Sequence, residues 1–373
     1  MTSGFALNDT QAMLRDSLAR FLAEQYDVEI RARTLAAADH QPPLWRAFAH
    51  QLGLLGAGLP ESVGGLGGGL VDHLVVMEVL GGHLAAEPYL STGVLGGGLL
   101  SRTPGATAQR LLSRIVDGDA VIALAAGEPH SRHELDDLRT TVTRDGEGWR
   151  LDGRKAVVHC APWATDLLAV ARDEAGGLAL LVVPGETLGV RRRDYRTLDG
   201  GRASEVVFDH VRLPAENHLG EAGALLEQVL DEATLALCAE AGGVLSRLVA
   251  DTVAYVKQRR QFGVPIASFQ VLQHRLADMS VALEQATAIT ASAATAFRGS
   301  AAARARAVSS AKVTVARACR TVGQGAVQLH GGMGMTEELA VGHYFRRATQ
   351  IELQFGSIDH HLRRIDRLSA QAA

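Results

Sequence analysis

The sequence predicts an α+β protein made of a helical stretch, a β stretch and a second helical stretch. Two changes of hydrophobic period carry this reading. Apolar residues recur at helical spacing up to about residue 118, fall into strand-length runs from 119 to 221, and return to helical spacing over 222–373. Composition agrees: alanine and glycine are abundant and aromatics make up only 5%, and small side chains let helices pack closely. The expected domains are therefore 1–118, 119–221 and 222–373.

In the first stretch, Leu7, Leu14, Leu18, Phe21 and Leu22 predict a helix over residues 8 to about 38, with Asn8-Asp-Thr10 supplying the N-cap. A short helix over 43–53 stops at Gly53. The glycines of Leu59-Pro-Glu-Ser-Val-Gly-Gly-Leu-Gly-Gly-Gly69 predict a shaped loop, and helical patterns resume over 71–84 and 89–118. In the second stretch, Ala120–Ala125, Leu138–Arg144, Trp149–Leu151, Asp152–Val158, Asp166–Ala171, Leu178–Val183 and Ser204–Phe208 read as strands. Asp145-Gly-Glu-Gly148 reads as a hairpin turn. The domain is expected to be antiparallel or a barrel. The third stretch holds four or five long helices.

A chain of 373 residues supports two or three packed units. With 47% hydrophobic residues, 21% charged residues and a net charge of −4, it has a globular profile, and no Lys/Arg block points to nucleic acid. Cys160, Cys238 and Cys319 follow no metal-ligand spacing, so free thiols, a cytoplasmic location and no metal are expected. Residues 1–6 lack a signal pattern, and no uncharged apolar run of about 18 residues predicts a membrane span.

Two motifs carry chemistry. Tyr255-Val-Lys-Gln-Arg-Arg-Gln-Phe-Gly-Val-Pro-Ile266 ends a helix with arginines, an aromatic and a Gly-Val-Pro break. About 60 residues later, Gln328-Leu-His-Gly-Gly-Met-Gly334 offers glycines where backbone can approach a bulky anion. These follow the Pro60–Gly69 loop, Asp152-Gly-Arg-Lys155, and Val211-Arg-Leu-Pro214 leading to Leu219-Gly220. In motif order and over nearly its whole length, the chain resembles the acyl-CoA dehydrogenase family. Tyr195–Arg202, Gly342–Arg347 and Phe355–Leu362 are most similar to a bacterial subgroup that includes pimeloyl-CoA dehydrogenase small subunits and subunits of heteromeric steroid-side-chain dehydrogenases.

The resemblance implies an N-terminal helical domain, a middle β-barrel and a C-terminal four-helix bundle. It also implies FAD, an acyl-CoA thioester as substrate, an electron-transfer flavoprotein or similar acceptor, and a homo- or hetero-oligomer, a tetramer above all. The pathways it suggests are lipid or dicarboxylate catabolism. By motif match, Arg259, Phe262, Ile266, Phe269, Gln270, Gln328, Gly331 and Gly332 would reach the flavin of a neighbouring subunit. A guanidinium neutralises a pyrophosphate with directed hydrogen bonds. The plain alternative is a solvated charge and ordinary helix caps.

The chain departs from the family around the flavin ring. Glu128-Pro-His-Ser-Arg-His133 replaces a glycine-rich segment, and Lys155-Ala-Val-Val-His159 puts Val157 where an indole is usual and His159 where a hydroxyl is usual. Ser357 and Asp359 stand where flavin-contacting Thr and Gln are usual. The family reaction needs a carboxylate to take the α-proton. Phe355 occupies the usual position of that base, and Ala233, 29 residues before Phe262, occupies the alternative one. Glu240 lies seven residues after Ala233 on the same helix face, either as a displaced base or paired with an arginine. Glu352 is a second candidate, or a solvated helix-end charge. Asp231 matches an acid near the pantetheine, while Thr234 replaces the usual arginine. Position 355 and Ala233 would line the acyl site. The activity implied is α,β-dehydrogenation of an acyl-CoA, as one subunit of a heteromeric enzyme or with a relocated base. The alternatives are a non-catalytic scaffold that completes a partner's FAD site, and a flavin oxidase.

Overall fold

The computed structural model describes residues 7–36, 42–131 and 133–370. Its first helix starts where the sequence supplies a cap. Asn8 closes a capping box: its side chain accepts from the Gln11 amide at 2.8 Å, and the Gln11 side chain accepts from the Asn8 amide at 3.2 Å. The helix so started, α1, runs Asp9–Gln25. It does not continue to residue 38 as expected, because Tyr26 turns extended at φ −120°. A separate α2 covers Val28–Ala36, and the rest of the expected helix lies outside the described residues. Next come α3 (Trp45–His50), α4 (Leu70–His83), a buried π-helical turn at Leu90–Gly96, α5 (Gly97–Ser101) and α6 (Ala106–Val116).

The strands are β1 (Ile122–Ala125), β2 (Thr141–Asp145), β3 (Gly148–His159), β4 (Asp166–Arg172), β5 (Leu178–Pro184), β6 (Val190–Arg196), β7 (Arg202–Leu213) and β8 (His218–Glu221). The chain continues with α7 (Gly223–Gln258), a hairpin of β9 (Arg260–Gln261) and β10 (Val264–Pro265), then α8 (Gln270–Thr295), α9 (Ala301–His330), α10 (Ala340–Leu353) and α11 (Ile358–Ala370). The chain forms two compact units, which cut across its three sequence stretches. One holds residues 1–27, 74–85 and 234–373; the other holds 28–73 and 86–233.

In the unit containing the sheet, the order is β6-β7-β3-β2-β4-β5-β8, with β1 also beside β4. The expected barrel is therefore an open sheet. Its outer strand β6 carries exposed Arg191, Arg193, Asp194 and Arg196, a charge pattern that keeps an edge from pairing further. It is not wholly antiparallel either, because β1 and β2 lie parallel to successive stretches of β4. Trp149–Leu151 and Asp152–Val158 belong to one strand, β3, whose register against β7 shifts at Leu151/Gly153 and Lys155/Val158. Hydrophobic patterning missed β6 and β8: the first is mostly charged and the second is short and glycine-containing. The glycine loop is shaped as expected. Leu66, Gly67 and Gly68 donate to the carbonyls of Gly56, Leu59 and Ala57, and a Cβ on Gly65 would stand 2.2 Å from the Leu59 carbonyl.

In the other unit, α9 packs against α8, α10 and α11, and the last part of the bundle is broken at residues 354–357. An 18-residue window of α7 is apolar enough to cross a membrane, with mean hydropathy 1.4, but 72% of it is buried, as in a core helix. α4 and α7 approach until backbones touch. A Cβ on Gly243 would lie 2.0 Å from the Glu78 carbonyl, and one on Gly81 would lie 2.1 Å from the Glu240 carbonyl. Because the obstacle is backbone, overpacking here shifts whole helices. Gly243→Ala is expected to cost about 1–3 kcal/mol or more, measured by thermal unfolding. An unchanged melting temperature would mean that the helices are not locked at this crossing.

Candidate functional site

The two glycine-bearing motifs meet at one end of the helical unit. α7 ends one residue before Arg259, and the chain turns back at once. The Ile266 amide donates to the Arg259 carbonyl at 2.8 Å, and Gln261 pairs with Val264. Phe262 and Gly263 have φ 52° and 81°, so both turn residues are left-handed, as a tight two-residue hairpin requires. This conformation carries the Phe262 ring outward. It is 91% exposed and touches Phe269 edge-on at 6.2 Å. Ile266 and Phe269 are half-buried behind it, and Gln270 opens α8 in solvent.

α9 ends at His330, where Gly331 takes φ 62°. The Tyr255 ring stacks on His330 at 4.2 Å and its hydroxyl donates to the His330 carbonyl at 3.4 Å. This contact sets the hairpin beside the glycine turn. Arg259 and Gln328 are exposed, and their side chains have no hydrogen-bond or ion-pair partner among the described residues. A Cβ at Gly263, Gly331 or Gly332 would meet nothing within 4 Å. Met333 and Met335 add exposed apolar surface. The result is a free guanidinium, an open glycine backbone and a projecting aromatic ring, which suits a flat aromatic ligand bearing a diphosphate.

In the sheet unit, Val157 sits in the bulge of β3 with φ 52° and is half-exposed. His159 and Tyr195 both stand opposite Ala203, one on each side, and the Tyr195 hydroxyl meets the Val157 main chain. The segment at Glu128 is anchored from within; Arg132 in it lies outside the described residues. The Glu128 carboxylate accepts from Lys155 Nζ at 2.8 Å and from the Arg139 and Thr140 amides at 2.8 and 2.9 Å, and both side chains are buried. Burial would raise this carboxyl, but the hydrogen bonds outweigh it and bring it down to about 2.

Position 355 lies in the helical unit, in the break between α10 and α11. Phe355 is left-handed at φ 58°, which costs a non-glycine residue about 1 kcal/mol. Lys312 Nζ donates at 3.0 Å to the carbonyls of Ile351, Glu352 and Gly356. His361 Nε2 bonds the Phe355 carbonyl at 3.1 Å and its Nδ1 meets Ser309 at 3.2 Å. Burial, reinforced by Lys312 and His360, pushes the His361 imidazole down to about 3, so it is neutral and donates from Nε2. Ser357 caps α11 through the His360 amide, and Asp359 is exposed in its first turn.

Neither candidate base stands ready to accept a proton. Arg347 holds Glu240 at two points, 2.6 and 2.7 Å, and both side chains are largely buried. Arg320 holds Glu352. Of the two readings open for Glu240, this geometry is the ion pair, and Glu352 is paired rather than merely solvated. On α7 in the sheet unit, Asp231 and Ala233 are buried, and Arg102 grips Glu232 at 2.8 and 3.0 Å. Sequence reasoning passed over Lys312, His361 and Arg347. The one legible signal was a lone lysine in the small, apolar run Ala311-Lys-Val-Thr-Val-Ala316.

Glu240→Gln leaves Arg347 buried without its carboxylate and is expected to cost about 3–5 kcal/mol, read by chemical denaturation. Lost turnover at unchanged stability would instead put Glu240 in the chemistry. Glu128 gives a pH test. A carboxyl with a depressed folded pKa contributes stability above its ordinary value of 4.5 and loses it as pH falls towards about 2. The stability gap between the native chain and Glu128→Gln should therefore close on acidification through that window. A gap independent of pH would contradict the anchoring role.

Comparison with known proteins follows the same plan. Sequence models of the acyl-CoA dehydrogenase N-terminal, middle and C-terminal domains match residues 8–119, 123–211 and 223–369. Among curated proteins, the caffeyl-CoA reductase-Etf complex subunit CarC of Acetobacterium woodii is 29% identical over 352 residues, covering 91% of this chain and 92% of its own. Among solved structures, the ChsE4-ChsE5 complex from Mycobacterium tuberculosis superposes with a TM-score of 0.90 at 27% identity, covering 98% of both chains. A variant of the Tcur3481-Tcur3483 steroid ACAD gives 0.89 at 30% identity, also covering 98% of both.

Proposed function

We propose, since this chain belongs to the acyl-CoA dehydrogenase family, that it is an FAD-dependent subunit of a heteromeric enzyme that desaturates an acyl-CoA thioester. The observation that carries this is the outward-facing set of Arg259, Phe262, Gln328, Gly331 and Gly332, exposed at one end of the helical unit. A single chain gains nothing from a rigid hairpin that projects an aromatic into water. The set fits FAD: Arg259 would meet the diphosphate, the glycine backbone would lie against it, and Phe262 would cover apolar surface. Val157 and His159 would be this chain's contribution to the ring end, with Ser357 and Asp359 as further polar contacts. Bound FAD would supply the hydride acceptor for the β-carbon. An electron-transfer flavoprotein is the proposed acceptor; CarC, by name, belongs to an Etf complex.

The α-proton needs a carboxylate, and Phe355 cannot accept it. With Glu240 and Glu352 held by arginines, a partner chain of the same fold would provide the base. The motifs at Tyr195–Arg202, Gly342–Arg347 and Phe355–Leu362 support a place near pimeloyl-CoA dehydrogenase small subunits, in a tetramer. The spacing of Cys160, Cys238 and Cys319 agrees with a cytoplasmic location. A second reading, a scaffold subunit without chemistry of its own, is favoured by Phe355 at the usual base position. The reactive thioester would then be held entirely by the partner.

The two readings separate in an anaerobic titration with acyl-CoA thioesters. It is run on this chain alone, on Phe355→Glu, and on the chain co-purified with a partner that carries the glutamate. Bleaching of the flavin only in the partnered complex is expected of both readings; a response in Phe355→Glu alone supports the heteromeric reading, because this chain's own acyl site is then otherwise intact, and no response there supports the scaffold. Full bleaching by the unaltered chain alone would mean that it holds its own base. No flavin in any preparation would overturn both readings.

A further inference from the structure

We propose that Lys312 is a positioning residue for the side chain at 355: one buried ammonium fixes the turn that aims this position at the acyl site. An ammonium has three donors and no acceptor, and Lys312 places all three on carbonyls at 3.0 Å while it is 1% exposed. Two of those carbonyls, Ile351 and Glu352, belong to the last turn of α10, where a helix leaves its carbonyls unpartnered and partly negative. The third, Gly356, lies beyond the helix. A single charge on α9 therefore ties the end of α10 to the far side of Phe355.

His361 grips the turn from α11 by bonding the Phe355 carbonyl. Both carbonyls of the Phe355-Gly356 pair are thus held by side chains from other helices. The space is closed as well: a Cβ on Gly356 would stand 2.6 Å from the His360 ring and 2.9 Å from His361 Nε2. Among the described residues, no buried carboxylate is bonded to Lys312. Cys238 and Cys319 are thiols that burial pushes up to about 12, and the Glu352 carboxylate is turned to Arg320. The ammonium is satisfied by the turn or by nothing. Lys312 accordingly determines where the side chain at 355 sits, whether that side chain is phenylalanine or a carboxylate.

The inference rests on position 355 lining the acyl site, and its test separates the two. Phe355 is replaced by 4-fluorophenylalanine in the native oligomer, and the ¹⁹F spectrum is recorded for the unaltered chain and for Lys312→Met. A single narrow resonance in the unaltered chain, split or broadened in Lys312→Met while the sheet unit keeps its hydrogen-exchange protection, is the expected result. A mobile ring in the unaltered chain overturns the proposal even if Lys312→Met does not fold, and so does an identical spectrum in both. Octanoyl-CoA binding by calorimetry is the second readout, expected to weaken by roughly tenfold in Lys312→Met at equal flavin content. Absence of thioester binding in the unaltered chain counts against the acyl-site reading and leaves the ¹⁹F result standing.

Discussion

The stacking of Tyr255 on His330 turns two distant sequence motifs into one surface. Each motif alone is a helix end. α7 ends at Gln258 and the chain folds back at the left-handed Phe262-Gly263 pair, and α9 stops where Gly331 turns left-handed. Only the ring contact at 4.2 Å places the Arg259 hairpin beside the Gln328–Gly334 turn. Tyr255 lies one helical turn before Arg259, and His330 immediately precedes Gly331, so the contact acts on both motifs through short, stiff connections. What results has free donors, open backbone and exposed apolar side chains at once. The exposed apolar side chains in this set are the part that water disfavours, and the proposed cofactor contact rests on the whole combination.

A second constraint runs through both units: several buried charges are matched by a charged or hydrogen-bonding partner. Glu240 meets Arg347, Glu232 meets Arg102, Glu128 meets Lys155 and two amides, and Lys312 meets three carbonyls. Removing one partner of such a set leaves an uncompensated charge, which is far more costly than the net gain of making the pair. The same constraint bears on the proposed chemistry. The two glutamates nearest in sequence to the expected base positions are committed to arginines, and the turn that presents position 355 is held by charge and hydrogen bonds around a phenylalanine.

Much of this was legible in the sequence because helices and strands announce themselves by period. The Asn8 cap, the Gly146 hairpin turn and the long apolar α7 follow from local chemistry alone. The break at Tyr26 was not legible, since nothing in Tyr-Asp forbids a helix. Nor was β6, whose charged residues hide an edge strand behind the pattern of a loop. For the site, residue types pointed to Arg259, Phe262 and the glycines, but their juxtaposition depends on a contact between residues 75 apart. Glu240 stood open between base and ion pair because Arg347, its partner, lies 107 residues away. Lys312 shows in the sequence only as a lone lysine in an apolar run, because its partners are backbone carbonyls, which every residue has.

The central claim is that the Arg259 end of the helical unit is a cofactor-binding surface rather than a solvated helix end. The most direct measurement is the flavin-to-chain ratio of Arg259→Ala against the unaltered chain, each in its native oligomer, with thermal unfolding as the control for fold. The account predicts that flavin is lost while unfolding of the two flavin-free forms is the same, because the Arg259 side chain has no partner among the described residues of its own chain. Full flavin occupancy in Arg259→Ala would contradict it.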